Sequence, residues 1–216
     1  MVVEIAAQET GGHVLVAFDS SLGSSVAVCR DGRVWQASSD DPRGHAEVIG
    51  TLLDESLKAA GVNPKDVTGV VSGVGPGPFT GLRVGIAAAQ TFALGVAAPL
   101  LPVKSHDAAA LEVLETGAAA SVRVVQDAKR RELFVSDYAA LDWAGVPVLT
   151  GGPRIEAREG YEPAEHEVWP ERVSAAKLLQ VAARRLAAGA AFEAPEALYL
   201  RQPDVKAPAA VKRVSS

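Results

Sequence analysis

Between Leu82 and Ala98 the sequence offers almost no polar face. Leu82, Val84, Ile86, Phe92, Leu94 and Val96 fall around the whole circumference of a helix, with Ala87, Ala88, Ala89, Ala93 and Ala97 between them. A helix apolar all round must be covered all round. A sheet covers one side; in a chain of 216 residues the other cover is a neighbouring helix or another chain, and small alanines let it come close. The uncharged stretch from Val84 to Val103 is long enough for a membrane span, but Gln90 and Thr91 interrupt it and Pro99 and Pro102 break it. It therefore reads as a buried helix followed by a strand.

The segments around this helix set its context. His13 to Phe18 reads as a strand, followed by the small-residue turn Asp19 to Ser24. Ser25–Cys29 and Arg33–Ala37 flank Asp31-Gly32, a hairpin signal because both turn positions need positive φ. From Ala46 to Ala60, Val48, Ile49, Leu52, Leu53 and Leu57 recur at helical spacing, with Gly61 as a left-handed cap. Val67 to Ser72 is a buried strand, and a turn rich in glycine and proline, Gly73 to Gly81, leads to the apolar helix, with Thr80 as its expected cap and Pro99 as its stop. Leu100–Val103 is a strand, and Ser105 is expected to cap a helix through Leu114. Three antiparallel strands followed by helix, strand, helix, strand, helix match, by topology, the half-molecule of the actin-like and ribonuclease H-like superfamily.

The second half is less regular. Val122–Asp127 and Glu132–Tyr138 bracket Lys129 to Arg131 as a hairpin; residues 150–172 read as loop-rich; Ser174–Ala188 is a helix; Ala197–Arg201 suggests a short last strand. The expected organisation is an extension over 1–12, an actin-like lobe over 13–115, a reduced lobe over 116–202 and a tail over 203–216.

Composition narrows the function. With 48% hydrophobic and 22% charged residues the chain can bury a core, and 21 basic against 26 acidic residues leave a net charge of −5. No global positive field holds a nucleic acid, so an RNA contact is local or supplied by a partner. Cys29 is the only cysteine, which excludes an internal disulfide and a cysteine-built zinc site. Glu4 and Glu9 stand where a secretory leader would be basic or apolar, so the expected location is cytoplasmic.

Several motifs have two readings. Asp19, Ser20, Ser21, Gly23 and Ser24, continuing to Ser25, form either a phosphate-cradling turn or a hairpin turn stabilised by an Asx-type bond. Gly73 to Arg83 is either an anion site at a helix start or a rigid turn that lets the helix approach the sheet; Pro76 and Pro78 remove donors that a Walker loop would need. Asp19 and Glu47 occupy nuclease-like metal positions, but Val71-Ser-Gly-Val74 supplies no third acid. No two of His13, His45, His106 and His166 have zinc-ligand spacing, and all four read as surface residues. Ser105-His-Asp107 holds the letters of a catalytic triad, although neighbours in sequence rarely converge on one point. Lys129-Arg-Arg131 is either an RNA-phosphate contact or a solvated tip.

Val16-Ala-Phe-Asp-Ser-Ser21, Gly44-His-Ala-Glu47, Gly73-Val-Gly-Pro-Gly-Pro-Phe-Thr-Gly-Leu-Arg-Val-Gly85, Pro99-Leu-Leu-Pro-Val103 and Gln126-Asp-Ala-Lys-Arg130 follow one another in an order that resembles the bacterial TsaB family, formerly YeaZ. The match runs from about His13 to Tyr138, with a weaker echo at Leu198–Arg201 and with Pro78 where serine is common. The resemblance implies an actin-like (ASKHA) α/β fold, a mixed sheet with flanking helices and a shortened second lobe. It also implies a part in making threonylcarbamoyladenosine in tRNA, as a non-catalytic scaffold for a TsaD-like catalytic subunit, with a TsaE-like ATPase associated, tRNA reached through the complex, and a homodimer when alone. No metal and no required cofactor belong to this chain on that reading, with ATP or ADP and Mg at the partner interface as the nucleotide expectation. The implied interface comprises Ile49, Leu52, Leu53, Leu57, Leu82, Arg83, Ile86 and Gln90. The alternative is an ASKHA ATPase or phosphotransferase using the Asp19 to Ser25 turn. A glycopeptidase, suggested by old descriptions of relatives, finds no assembled nucleophile or metal set.

Overall fold

The computed structural model describes residues 2–5, 11–41 and 44–201. Strands β1 (Val2–Ile5), β2 (Leu15–Asp19), β3 (Ser24–Arg30), β4 (Arg33–Ser39), β5 (Gly69–Gly73) and β6 (Leu100–Val103) form one sheet in the order β1-β4-β3-β2-β5-β6. Helices α1 (His45–Ala60), α2 (Phe79–Val96) and α3 (Ser105–Leu114) interrupt the strands. Strands β7 (Val122–Lys129), β8 (Glu132–Leu141), β9 (Pro147–Ala157) and β10 (Glu167–Val168) form a second sheet, β10-β7-β8-β9, and α4 (Ala175–Ala188) follows.

The central strand β2 explains the layering. Val16 and Phe18 face the α1/α2 side with Ile49, Leu52, Ala89 and Ala93, while Leu15 and Ala17 face α3 and α4 with Leu111, Leu178 and Leu179. All four strand residues are at most 1% exposed. A strand buried on both faces belongs to a sheet covered on both sides. β2 runs parallel to β5 and antiparallel to β3. Each fully buried leucine or phenylalanine here contributes about 2 kcal/mol relative to exposure. Helix α3 lies in both cores, since Ala109, Ala110 and Leu114 pack on Val122, Val124 and Tyr138 of the second sheet.

Local signals behave as chemistry requires where they are short-range. Asp31 and Gly32 both have positive φ in the β3–β4 turn. Helix α1 ends at the left-handed Gly61, whose N–H reaches Lys58. Ser174 caps α4 by accepting from the Lys177 N–H.

Other expectations change. Thr80 lies inside α2, which starts at Phe79; the Pro78 carbonyl already accepts from Leu82 N–H, so the helix begins two residues earlier. Ser105 is the first residue of α3 and not its cap, because its hydroxyl is drawn to Asp19 and Gly75. Residues 150–157 of the region read as loop belong to strand β9, which carries Gly151, Gly152 and Pro153 because it is an edge strand, where a missing donor costs little. Residues 197–201 form no strand; Leu198 N–H donates once to Val74 and the segment lies as a strap over the start of α2. The expected extension contains β1, antiparallel to β4, and α4 packs on the first sheet, so the expected lobe boundaries do not coincide with the packing units. The tail over 203–216 lies outside the described residues.

Candidate functional site

The turn after β2 is assembled by hydrogen bonds that all stay inside the chain. Asp19 Oδ1 accepts from the N–H and hydroxyl of Ser21 at 2.8 and 2.7 Å, and Oδ2 accepts from the Ser105 hydroxyl at 2.6 Å. The Ser105 oxygen in turn accepts from Gly75 N–H at 3.0 Å. Ser20 Oγ donates to the Gly81 carbonyl at 2.6 Å and accepts from Gly85 N–H at 2.7 Å. Ser24 Oγ meets His45 Nδ1 at 2.7 Å, and Ser25 Oγ donates to the Val173 carbonyl. Burial pushes the Asp19 carboxyl up, against the hydrogen bonds from Ser105 and Ser21 that pull it down.

The glycines of the Gly73–Gly85 segment follow from this contact. A Cβ on Gly73 would stand 1.9 Å from Asp19 Oδ2, and one on Gly85 would stand 2.4 Å from Ser20 Oγ. The backbone of the loop and of the first α2 turns lies directly on the serine turn. That geometry accounts for the motif as close packing, and it uses the hydroxyls of Ser20, Ser21 and Ser24 that a phosphate cradle would need. Gly23 takes φ of 69°, the left-handed turn position.

Beneath the turn a second polar chain ties the two sheets. His106, read from sequence as a surface residue, is fully buried, with Nδ1 2.8 Å from Ser136 Oγ and Nε2 3.3 Å from Gln126 Oε1. Gln126 Nε2 donates back to the Ser21 carbonyl at 2.9 Å. Asp107 accepts from the Tyr138 hydroxyl at 2.7 Å and pairs with Arg185 at 2.8 Å. Ser105, His106 and Asp107 thus turn to three separate sets of partners and form no triad. No sequence signal marks Gln126, Ser136, Tyr138 or Arg185 as their partners, because each lies at least 20 positions away.

Burial lowers the His106 pKa from its ordinary 6.5 to about 4, with the Gln126 hydrogen bond opposing. The unfolded chain takes up that proton near pH 6.5 and the native one only near 4, so stability is lost as pH falls through this window. The loss is about 3 kcal/mol. Asp19 and Asp107 are raised by burial, Asp107 against the pull of Arg185, so their contribution is present at low pH and lost as pH rises from 3.8 through the raised values. His106→Gln, which can keep a donor and an acceptor, is expected to remove the acid-side loss; denaturant melts of both proteins from pH 7 to 4 check it, since the aspartates cancel in the difference.

The residues expected at an interface separate into two groups. Ile49, Leu52, Leu57, Leu82 and Ile86 are buried within the chain's own cores, Ile86 and Leu82 with Val74, so charging Ile86 would test folding and not docking. Leu53 is half-buried, and Arg83 and Gln90 are exposed. Arg83 Nε donates to the Tyr199 hydroxyl at 2.7 Å and Gln90 Nε2 to the Pro195 carbonyl at 3.1 Å, so the strap, which the sequence did not single out, borders this face. Arg83, Ala87, Gln90, Thr91 and Leu94 form one exposed stripe along α2, and Leu94 is 83% exposed. Beside the stripe Leu53, Ala87, Ala88, Phe92 and Val96 line a shallow hollow between α1 and α2. Helix α2 has the length and hydropathy of a membrane span, a third of it buried, but Gly81 and Gly85 are fixed against Ser20 and Ala89 and Ala93 pack on β2 and β5.

Among the described residues no group of three or more histidine, cysteine or acidic side chains could hold a metal ion. A doubly covered mixed sheet, a second sheet sharing α3 and a serine turn filled by its own neighbours define an actin-like (ASKHA) fold. A family model described as TsaD, tRNA N6-adenosine threonylcarbamoyltransferase, matches residues 39–145. The solved structure of YeaZ from Pseudomonas aeruginosa superposes with a TM-score of 0.77 at 25% identity, over 87% of this chain and all of that one. An uncharacterized protein of Mycobacterium tuberculosis (strain H37Rv) is 35% identical over 182 residues, 77% of this chain and 79% of its own. The tRNA threonylcarbamoyladenosine biosynthesis protein TsaB of Escherichia coli K12 is 31% identical over 125 residues, and that of Haemophilus influenzae 33% over 123. This chain spans about half the length of those two, 54% and 52%. The chain belongs to the TsaB/YeaZ family.

Proposed function

We propose that this chain is a non-catalytic subunit that binds a TsaD-like catalytic relative and holds it in its active arrangement during threonylcarbamoyladenosine formation in the cytoplasm. One observation carries the reading: α2 presents an exposed stripe that runs through Ala87 and Thr91 to Leu94, beside an apolar hollow shared with α1. A contiguous apolar hollow open at the surface marks an interaction site, and alanine, glycine and threonine at 87, 95 and 91 let another helix lie close. A TsaD-type partner suits it, since the partner would share the fold and could offer an equivalent helix pair. The same face would serve a homodimer when no partner is present, and a TsaE-like ATPase and tRNA would join through the complex.

Size measurement of the chain alone and mixed with a TsaD-like protein, followed by reconstituted tRNA modification, tests this. A mixture that elutes as two unassociated species, with modification indifferent to this chain, overturns it.

The ATPase alternative at Asp19 to Ser25 has little support, because the turn's side-chain donors are spent on Asp19, Gly81, Val173 and His45. The isolated chain is expected to show no magnesium-dependent ATP turnover above background in a phosphate-release assay.

A further inference from the structure

Between the start of α2 and the tip of the β7–β8 hairpin lies a hollow of about 290 Å3 that plays no part in the docking face. Phe79, Phe134 and Tyr199 line it together with Lys129, Arg130 and Arg201. None of Asp19 to Ser24 lines it. Its aromatic side is built within the chain: Phe79 stacks on Tyr199 with centroids 4.6 Å apart, and the Arg83 guanidinium lies 3.6 Å over Phe79.

The cationic side has an unusual backbone. Lys129, Arg130 and Arg131 take φ of 62°, 53° and 61° in succession. Glycine enters this left-handed region freely and residues with side chains rarely do. Glycine would make the tip with less strain, so three cations there retain charge at a conformational cost, and strain of this kind clusters where ligands are met. Asp127 accepts from Lys129 N–H at 3.0 Å and from its ammonium at 3.1 Å, and Glu132 pairs with Arg201, so carboxylates behind the cations hold them in place.

Flat apolar walls beside clustered cations suit a ligand with an aromatic ring and an anion, and the volume suits one such unit. In a chain of net charge −5, Lys129, Arg130, Arg131 and Arg201 outnumber the carboxylates of Asp127 and Glu132 beside them, a local excess of positive charge. We propose that the hollow binds a nucleoside 5′-phosphate unit, its base against the aromatic side chains and its phosphate beside Lys129 and Arg130. The unit comes either from a free nucleotide or from an unpaired position of an RNA.

Calorimetric titration of the full chain with AMP, adenosine and a single-stranded oligoribonucleotide tests this without any partner protein. In the double variant Lys129→Gly/Arg130→Gly the melting temperature is expected to hold or rise, since glycine relieves the left-handed positions. AMP affinity is expected to fall about tenfold or more in that variant while adenosine affinity stays unchanged. Tyr199→Ala is expected to weaken AMP and adenosine alike. An oligoribonucleotide that binds more tightly than AMP and loses that binding in the double variant assigns the site to RNA; one that binds no more tightly assigns it to the free nucleotide. AMP binding no better than adenosine, AMP binding unchanged in the double variant, or no binding of any of the three at millimolar concentration overturns the proposal.

Discussion

Leu94→Glu is expected to abolish association with a TsaD-like partner while leaving the fold intact. The side chain is 83% exposed on the last turn of α2, so the free chain loses no buried contact and its melting point should move little. Surface changes of this kind stay within about 0.5 kcal/mol. Within a docked helix pair the same change would bury an unpaired carboxylate, and truncating or charging an anchor residue typically costs an interface about 2–4 kcal/mol. That corresponds to a loss of roughly a hundredfold in affinity. Ala87→Arg on the same stripe should act in the same direction by bulk and charge. Pull-down and tRNA modification with both variants check it; full activity of both with unchanged binding would move the interface off this helix.

Gly73→Ala is expected to be among the most damaging single methyl additions in the chain. The new Cβ would fall 1.9 Å from Asp19 Oδ2 and 3.1 Å from the Ser105 hydroxyl. Asp19 cannot swing away, because it is buried and both of its oxygens are already bonded. The cost is about 3 kcal/mol or more, the range of overpacking combined with a broken buried network. Gly50→Ala gives the contrast. That glycine sits exposed in α1 with nothing within 4 Å of the added carbon, so alanine should stabilise by up to about 1 kcal/mol through helix propensity. Thermal melts of the two variants should move in opposite directions, and a harmless Gly73→Ala would refute the packing account of the glycine-rich segment.

What could be read from the sequence follows the range of the forces. Asp31-Gly32 and Gly61 act on their own few neighbours, so each is legible without a structure. Periodicity placed α1, whose buried positions recur within one helix, and the unbroken apolar run stopped by Pro99 placed α2. Strand β9 was hidden, since Gly151, Gly152 and Pro153 speak against a strand until the edge position is known. The apolar circumference of α2 called for cover all round, whereas the chain itself buries a third of the helix: Leu82 and Ile86 are covered by Val74, and Ala87, Thr91 and Leu94 stay exposed. His106 and Asp107 could not be told from surface residues, because their partners Ser136, Gln126, Tyr138 and Arg185 arrive through tertiary folding alone.

Helix α4 has one further consequence. It is the last helix among the described residues, yet Ala175, Leu178, Leu179 and Ala182 fill the same core as Leu15 and Ala17 of β2. During synthesis, a nascent polypeptide released before residue 188 would leave that side of its opening strands open to water and to other molecules. Ribosome-bound fragments ending near residue 172 should therefore stay protease-sensitive and chaperone-bound, and protection should come only once the closing segment has cleared the exit tunnel.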